Sequence, residues 1–162
     1  MSALFVSLRD RAANAIYGTI LVTAVIVALS EDRAASAGEL IEAVATTTVV
    51  FWLAHSYADF LGERTLTGGP AARMGVRDAL LRDVAMLEVA VLPLLALLLG
   101  VIHLVSRGHA VVAALAIGVA ELFAWGYLAG RAPGASVRRS ASIGLFNCGL
   151  GVLIVLLKAL IH

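Results

Sequence analysis

Four ionisable side chains lie within apolar stretches of this 162-residue chain and have the chemistry of a cation site. His55 and Asp59 are four residues apart, so at about 100° per residue they share one face of a helix. Glu88 and Glu121 lie in two other apolar segments. Carboxylates and an imidazole can hold a proton or a divalent cation. The sequence therefore predicts one shared polar site, although these ligand types do not single out a metal.

Further polar residues lie at a similar depth and are candidates to support that site. They are Asn14, Tyr17, Glu63 and Asn147. A different interpretation stays open, in which Asn14, Tyr17, Asp59 and Glu63 only mark the membrane interface and His55 and Asp59 pair only with each other. Glu88 and Glu121 fit that interpretation less well, because a charge deep in a membrane helix costs roughly 2.5–3.5 kcal/mol on insertion scales.

The elements that carry these residues are long apolar segments. The chain is 61% hydrophobic and 14% charged, with a mean hydropathy of +0.98. A soluble domain has about half apolar and about a quarter charged residues, so lipid must be the solvent for most of this surface. Continuous apolar runs favour helices over the alternating strands of a membrane β-barrel. We predict a single all-α, polytopic membrane domain of five transmembrane helices, at about 12–30, 39–61, 80–105, 109–130 and 140–161, with a kink at Pro93.

Basic residues predict the orientation of this bundle. With the N-terminus in the cytosol, nine of the twelve Arg and Lys residues face the cytosol and three (Arg33, Arg107 and Lys158) face outward. We therefore expect a multi-pass protein of the cytoplasmic (inner) membrane whose C-terminus lies outside. A cleaved signal peptide is the alternative for the first segment, but Glu31 and Asp32 separate its apolar run from the cleavage-like Ala-Ser-Ala.

Small residues in the last two segments predict close helix contacts. Gly126 and Gly130 form a GxxxG pair, and Gly144 and Cys148 lie on the following helix. Such residues let helices approach closely, within one bundle or across a dimer seam. We expect a homodimer or a higher homo-oligomer, since five short helices bury little surface alone.

Several classes of function are excluded by composition and motif. A net charge of +1 and few aromatic residues give no basis for nucleic-acid binding. One cysteine rules out a disulfide framework within the chain. No hydrolase, metalloprotease or nucleotide-binding motif is present, so we expect no enzyme activity and no cofactor other than a transported divalent cation.

Three stretches resemble the vacuolar iron transporter family, including its nodulin-like relatives. AIYGTILVTA at Ala15–Ala24 is similar to the first-helix motif of that family, and SYADFLGE at Ser56–Glu63 to the second-helix motif. SVRRSASIGLFNCGLGVLIVLLKAL resembles its final helix. The resemblance implies a five-helix dimer that carries divalent iron or manganese. Glu63 is the one family site residue that carries over.

Two functions from different classes follow as expectations. The first is a small cation transporter or channel, for a divalent metal or protons, with its polar site in the cytosolic half of the bundle. The alternative is a non-transporting scaffold or accessory subunit, in which the buried charges only hold the helices together.

Overall fold

The fold is all-α over the part of the chain that the structure, a computed structural model, describes. The backbone is described for residues 2–32, 34–66, 75–131 and 135–161, and the side chains for 11–32, 34–62, 75–131 and 135–156. Within these ranges every regular element is a helix. The helices are α1 (Ser2–Leu29), α2 (Ala37–Leu66), α3 (Val76–Arg82), α4 (Ala85–Glu88), α5 (Val91–Val101), α6 (Arg107–Gly130) and α7 (Val137–Ile161).

Four of these helices are long and apolar enough to cross a bilayer. The qualifying stretches are Arg11–Leu29, Ala37–Gly62, Arg107–Gly130 and Val137–Leu156. They correspond to the first, second, fourth and fifth predicted helices. A span needs roughly 20 mostly apolar residues, and each continuous run meets that length.

The third predicted helix, 80–105, is broken into α3, α4 and α5. Taken together, Val76–Glu88 and Val91–Val101 also pass the test for a span, with a 47° bend between them. The bend expected from Pro93 is present, but it falls one turn earlier, because the chain turns at Val89 and Ala90 before α5 begins. Pro93 then lies in the first turn of α5, where a backbone N–H has no partner within the helix.

The broken helix nevertheless runs along the length of the bundle. At one end, the Asn14 amide bonds the Asp83 carboxylate. At the other end, a Cβ on Gly100 would lie 3.4 Å from the Cβ of Ala37, the first residue of α2. Between Asn14 and the end of α1 at Leu29, fifteen residues rise about 22 Å. The segment α3–α5 therefore passes from one end of the bundle to the other.

Helix α1 is central, since it contacts α2, α4, α6 and α7. Gly18 allows α1 to approach α4 closely, because a Cβ there would lie 2.9 Å from the Met86 backbone. The apolar core between α1, α2, α5 and α6 is formed by Val22, Ile26, Leu40, Val44, Ala90, Ala96, Leu97, Val111 and Ala114.

Glycines bring α6 and α7 together within the chain. A Cβ on Gly130 would lie 2.8 Å from the Ser140 Cα, and one on Gly144 would lie 2.9 Å from the Phe123 carbonyl oxygen. The structure thus places these two glycines of the predicted helix-packing set in the α6–α7 contact. Cys148 is half-buried and free.

Candidate cation site

Three potential metal ligands meet between α2 and the turn that joins α3 to α4. His55 and Asp59 lie one helical turn apart on α2, with Nε2 and Oδ2 3.9 Å apart. Asp83 lies at the end of α3. One ligand atom from each of these residues lies within 4.8 Å of the others. We call these three residues the His55 cluster.

Asp83 is the most deeply buried member of the cluster, with a side-chain exposure of 0%. Its Oδ1 accepts hydrogen bonds from Asn14 Nδ2 at 2.7 Å and from Arg82 Nε at 3.4 Å. Its Oδ2 is buried and has no hydrogen-bond partner among the described residues. A buried carboxylate oxygen without a partner is costly, and such atoms are usually satisfied by water or by an ion.

Arg82 supplies a positive charge to the same carboxylates. Its Nη2 lies 2.9 Å from Asp59 Oδ2, and its Nε bonds Asp83. The Arg82 side chain is 30% exposed and that of Asp59 is 42% exposed, so this part of the cluster opens to the surface. A cation that binds the two carboxylates has to compete with the guanidinium of Arg82.

Two of the predicted supporting residues reach the cluster from α1. The Tyr17 ring stacks on the His55 imidazole, with ring centroids 5.7 Å apart, and thereby orients it. Asn14 holds the carboxylate of Asp83. The cluster therefore draws on α1, α2 and the α3–α4 turn. Glu63 lies outside the residues whose side chains are described.

Glu88 is placed apart from the His55 cluster. Its carboxylate forms an ion pair with Arg11 of α1, and the two side chains are 45% and 47% exposed. This pair joins α4 to the first part of α1. The structure thus gives Glu88 a partner that the sequence analysis did not assign to it.

Glu121 and Asn147 are not among the grouped ligands of the cluster. Glu121 is half-buried on α6, and its Oε2 is buried without a hydrogen-bond partner in the described part of the chain. The Asn147 amide bonds the Ile143 carbonyl of its own helix. Asn147 also packs against Gly126: a Cβ placed on Gly126 would lie 2.7 Å from Nδ2 of Asn147.

Asp83 and Arg82 were not predicted as members of the cluster. The predicted third helix, 80–105, was continuous, and Arg82 was used only for the orientation. The break after Arg82 instead turns Asp83 into the bundle. An available signal was the position of a carboxylate, Asp83, close to the start of the third apolar segment.

Comparisons with protein-family models, curated proteins and solved structures find no match to the chain. The resemblance to the vacuolar iron transporter family therefore stays a prediction.

Proposed function

We propose that this protein is a small multi-pass membrane protein that binds a cation at the His55 cluster and moves it across the membrane. The observation that carries the proposal is the fully buried Asp83, whose Oδ2 has no partner in the described residues. It lies beside two further groups that can ligate a metal or hold a proton.

The ligand chemistry supports a divalent metal or a proton. Imidazole nitrogen suits transition metals such as Zn²⁺ and Fe²⁺, and carboxylate oxygen suits Mn²⁺. The same groups also accept protons, and His changes charge near neutral pH. Arg82 adds a functional element, because its single positive charge balances one of the two carboxylates, Asp59 and Asp83, when no cation is bound. A divalent cation that displaces the guanidinium balances both carboxylates.

The membrane arrangement that we propose has five spans, with the broken helix α3–α5 as the third. Because α3–α5 passes along the whole bundle, we favour a membrane crossing for this segment and not a re-entrant loop. The bias in basic residues supports a cytosolic N-terminus and an outer C-terminus. In this arrangement the His55 cluster lies in the cytosolic half. We place the protein in the cytoplasmic membrane.

We also propose that the protein forms a homodimer. Large apolar side chains remain exposed on every long helix, among them Phe146 of α7 at 69% and Val112 of α6 at 66%. Much of this surface meets lipid, and a partner copy would cover part of it. Since Gly130 and Gly144 pack α6 against α7, the seam lies on other residues of these helices.

A scaffold role is the second candidate, and two ion pairs and one hydrogen bond between distant residues favour it. Arg82 with Asp59, Arg11 with Glu88, and Asn14 with Asp83 each join residues far apart in the chain. Such contacts lock helices together whether or not an ion ever binds. On this hypothesis, the carboxylates serve assembly or a partner protein, and no flux occurs.

Reconstituted vesicles separate the two candidates. Purified protein in liposomes is tested for Mn²⁺ uptake with an enclosed metal indicator and for proton movement with an enclosed pH dye. We expect flux of one of these ions, and we expect Asp83→Asn and His55→Gln to reduce it at least tenfold. The control is Glu42→Gln, which changes an exposed carboxylate near the start of α2.

Binding is measured separately by the electron paramagnetic resonance signal of Mn²⁺ in detergent. His55→Gln keeps the contacts of Asp83, so it tests the site even if Asp83→Asn fails to fold. Absence of both Mn²⁺ and proton flux in the folded wild type would overturn transport. Normal flux in folded His55→Gln and Asp83→Asn would show that transport does not depend on the His55 cluster.

A further inference from the structure

Glu121 is a further ionisable residue of the bundle, and it is not a member of the His55 cluster. It lies fourteen residues after the start of α6 at Arg107 and nine before its end at Gly130. At 1.5 Å per residue, these distances are about 21 Å and about 13 Å. In a bilayer core of about 30 Å, Glu121 is therefore far from both surfaces.

Its surroundings contain a second polar group without a partner. Thr23 of α1 is 1% exposed, and its Oγ1 has no hydrogen-bond partner among the described residues. This hydroxyl faces Gly118, where a Cβ would lie 2.5 Å away. Gly118 is three residues before Glu121, so both lie on neighbouring positions of one α6 face. Two residues with a buried polar atom that has no described partner, Thr23 and Glu121, thus lie respectively against Gly118 and within one turn of it.

The described residues offer no cation to balance a charge on Glu121. On α1, Arg11 pairs with Glu88 of α4, and Tyr17 stacks on His55. Helix α5 contains no ionisable residue. On α7, Arg138 and Arg139 lie beside Ser140, which contacts Gly130 at the end of α6. The remaining ionisable side chain of α7 among the described residues is that of Cys148. On α6 itself, Arg107 and His109 lie at its start, and Tyr127 contacts Arg131.

We propose that Glu121 is a proton-binding site at mid-depth in the membrane, separate from the His55 cluster. An unpaired carboxylate is poorly solvated in such a place, and the neutral acid is the form that its surroundings favour. The buried hydroxyl of Thr23 and the buried Oε2 are the groups that an internal water would satisfy. The side chain is only half-buried, so lipid-soluble reagents can reach the acid.

This inference deepens the proposed function by naming the proton as an ion that the bundle holds, and it rests on insertion of α6 into a membrane. It does not require the His55 cluster to bind a cation. Its test therefore reads the protonation of Glu121 itself, and no flux or metal binding enters the measurement. A protein without transport can pass this test, and a transporter can fail it.

Infrared spectroscopy of the protein in lipid nanodiscs is the primary test. At neutral pH, we expect a protonated-carboxyl C=O band in the wild type that disappears in Glu121→Gln. The matched control is Glu88→Gln, which removes a carboxylate paired with Arg11 and should leave the band intact. Because glutamine resembles the protonated acid in shape and charge, Glu121→Gln should keep the wild-type unfolding temperature. A spectrum in which Glu121→Gln removes no such band overturns the proposal.

Chemical labelling gives an independent readout. Dicyclohexylcarbodiimide reacts with a protonated carboxyl: the oxygen bonds the carbodiimide carbon, the acid proton moves to nitrogen, and the adduct rearranges to an N-acylurea. We expect mass spectrometry to find this adduct on Glu121 and not on Glu88, with more label as the pH falls. Labelling of Glu88 in preference to Glu121 would contradict a neutral acid at Glu121.

Discussion

The Asn14 side-chain amide donates a 2.7 Å hydrogen bond to Oδ1 of Asp83 and so fixes a buried carboxylate to the central helix. This bond joins residues 69 positions apart in the chain. It also sets the level at which the broken helix α3–α5 meets α1. Asn14 therefore has a structural role that can be tested without any transport assay.

Asn14→Ala should destabilise the fold. It removes one of the two described hydrogen-bond donors to Asp83 and leaves a fully buried carboxylate less satisfied. We expect a loss of about 1–3 kcal/mol in the free energy of unfolding, measured by thermal or denaturant unfolding in detergent. Ser142→Ala is the control, since it removes an exposed hydroxyl that bonds only the Arg138 carbonyl of its own helix. Equal stability of both variants would show that the Asn14–Asp83 bond contributes nothing.

Exchanging the charges of Arg11 and Glu88 tests the ion pair between α1 and α4. Each single reversal, Arg11→Glu or Glu88→Arg, places like charges together and should lower the unfolding temperature. The double exchange restores attraction and should recover most of the loss. Since both side chains are nearly half exposed, the coupling should be about 0.2–1 kcal/mol.

The same variants decide between two roles of Glu88. If Glu88 serves only the ion pair, the double exchange should transport as the wild type does. If Glu88 belongs to the ion pathway, as the sequence predicts, flux should stay low even though stability returns. Loss of coupling between the two positions would contradict the ion pair itself.

His103 is held in a strained backbone conformation directly after α5. Its φ of 58° makes it the one non-glycine residue with positive φ in the described part of the chain. Its N–H bonds the Gly100 carbonyl, and the Leu104 N–H bonds the Leu99 carbonyl, which is the arrangement that commonly ends a helix with glycine. His103→Gly should therefore raise stability by about 1 kcal/mol in thermal unfolding.

His103→Ala is the control for this change, because it also removes the imidazole but keeps the cost of a positive φ. If alanine and glycine have the same effect, the difference does not come from the backbone. If both variants destabilise the protein strongly, the imidazole makes a contact that outweighs the strain.

The sequence predicted the all-α class of the fold because long, continuous apolar runs are a strong signal for helices. A continuous apolar run such as that of α6 has few alternatives to a helix, so the five segments could be located within a few residues or about a turn at most ends. Both His55 and Asp59 were placed on one face by helical spacing alone, and the structure brings them together.

The partners of these residues could not be predicted in the same way. Spacing within one helix does not determine which neighbouring helix it faces, so the pairing of Glu88 with Arg11 was not foreseen. The break between Arg82 and Ala85 also had no proline or glycine to mark it. It depends on tertiary contacts, among them the Asn14 bond to Asp83 and the bond from Trp52 Nε1 to the Leu80 carbonyl.

Adding a methyl group at Gly130 tests the close contact of α6 with α7. The new Cβ would lie 2.8 Å from the Cα of Ser140, so the two backbones must separate. Overpacking of this kind costs typically about 1–3 kcal/mol, and we expect Gly130→Ala to lower thermal stability by that amount. Gly149→Ala on α7 is the matched control, since no atom lies within 4 Å of its Cβ position. That change should be neutral or slightly stabilising, because alanine favours a helix interior.

Labelling of single cysteines tests whether the broken helix α3–α5 crosses the membrane. In a Cys148→Ser background, which removes the one native cysteine, three exposed positions are compared: Gly38, Val76 and Gly108. Gly38 and Gly108 lie at the starts of α2 and α6, whose first residues flank the end of α5, whereas Val76 begins α3.

With five spans, an impermeant maleimide added to whole cells should label Gly38→Cys and Gly108→Cys. Val76→Cys should react only after the membrane is permeabilised. If Gly108→Cys is instead protected together with Val76→Cys, the segment is re-entrant and the C-terminus lies in the cytosol. Because the structure puts Gly100 against Ala37, we expect Gly38 and Gly108 to behave alike.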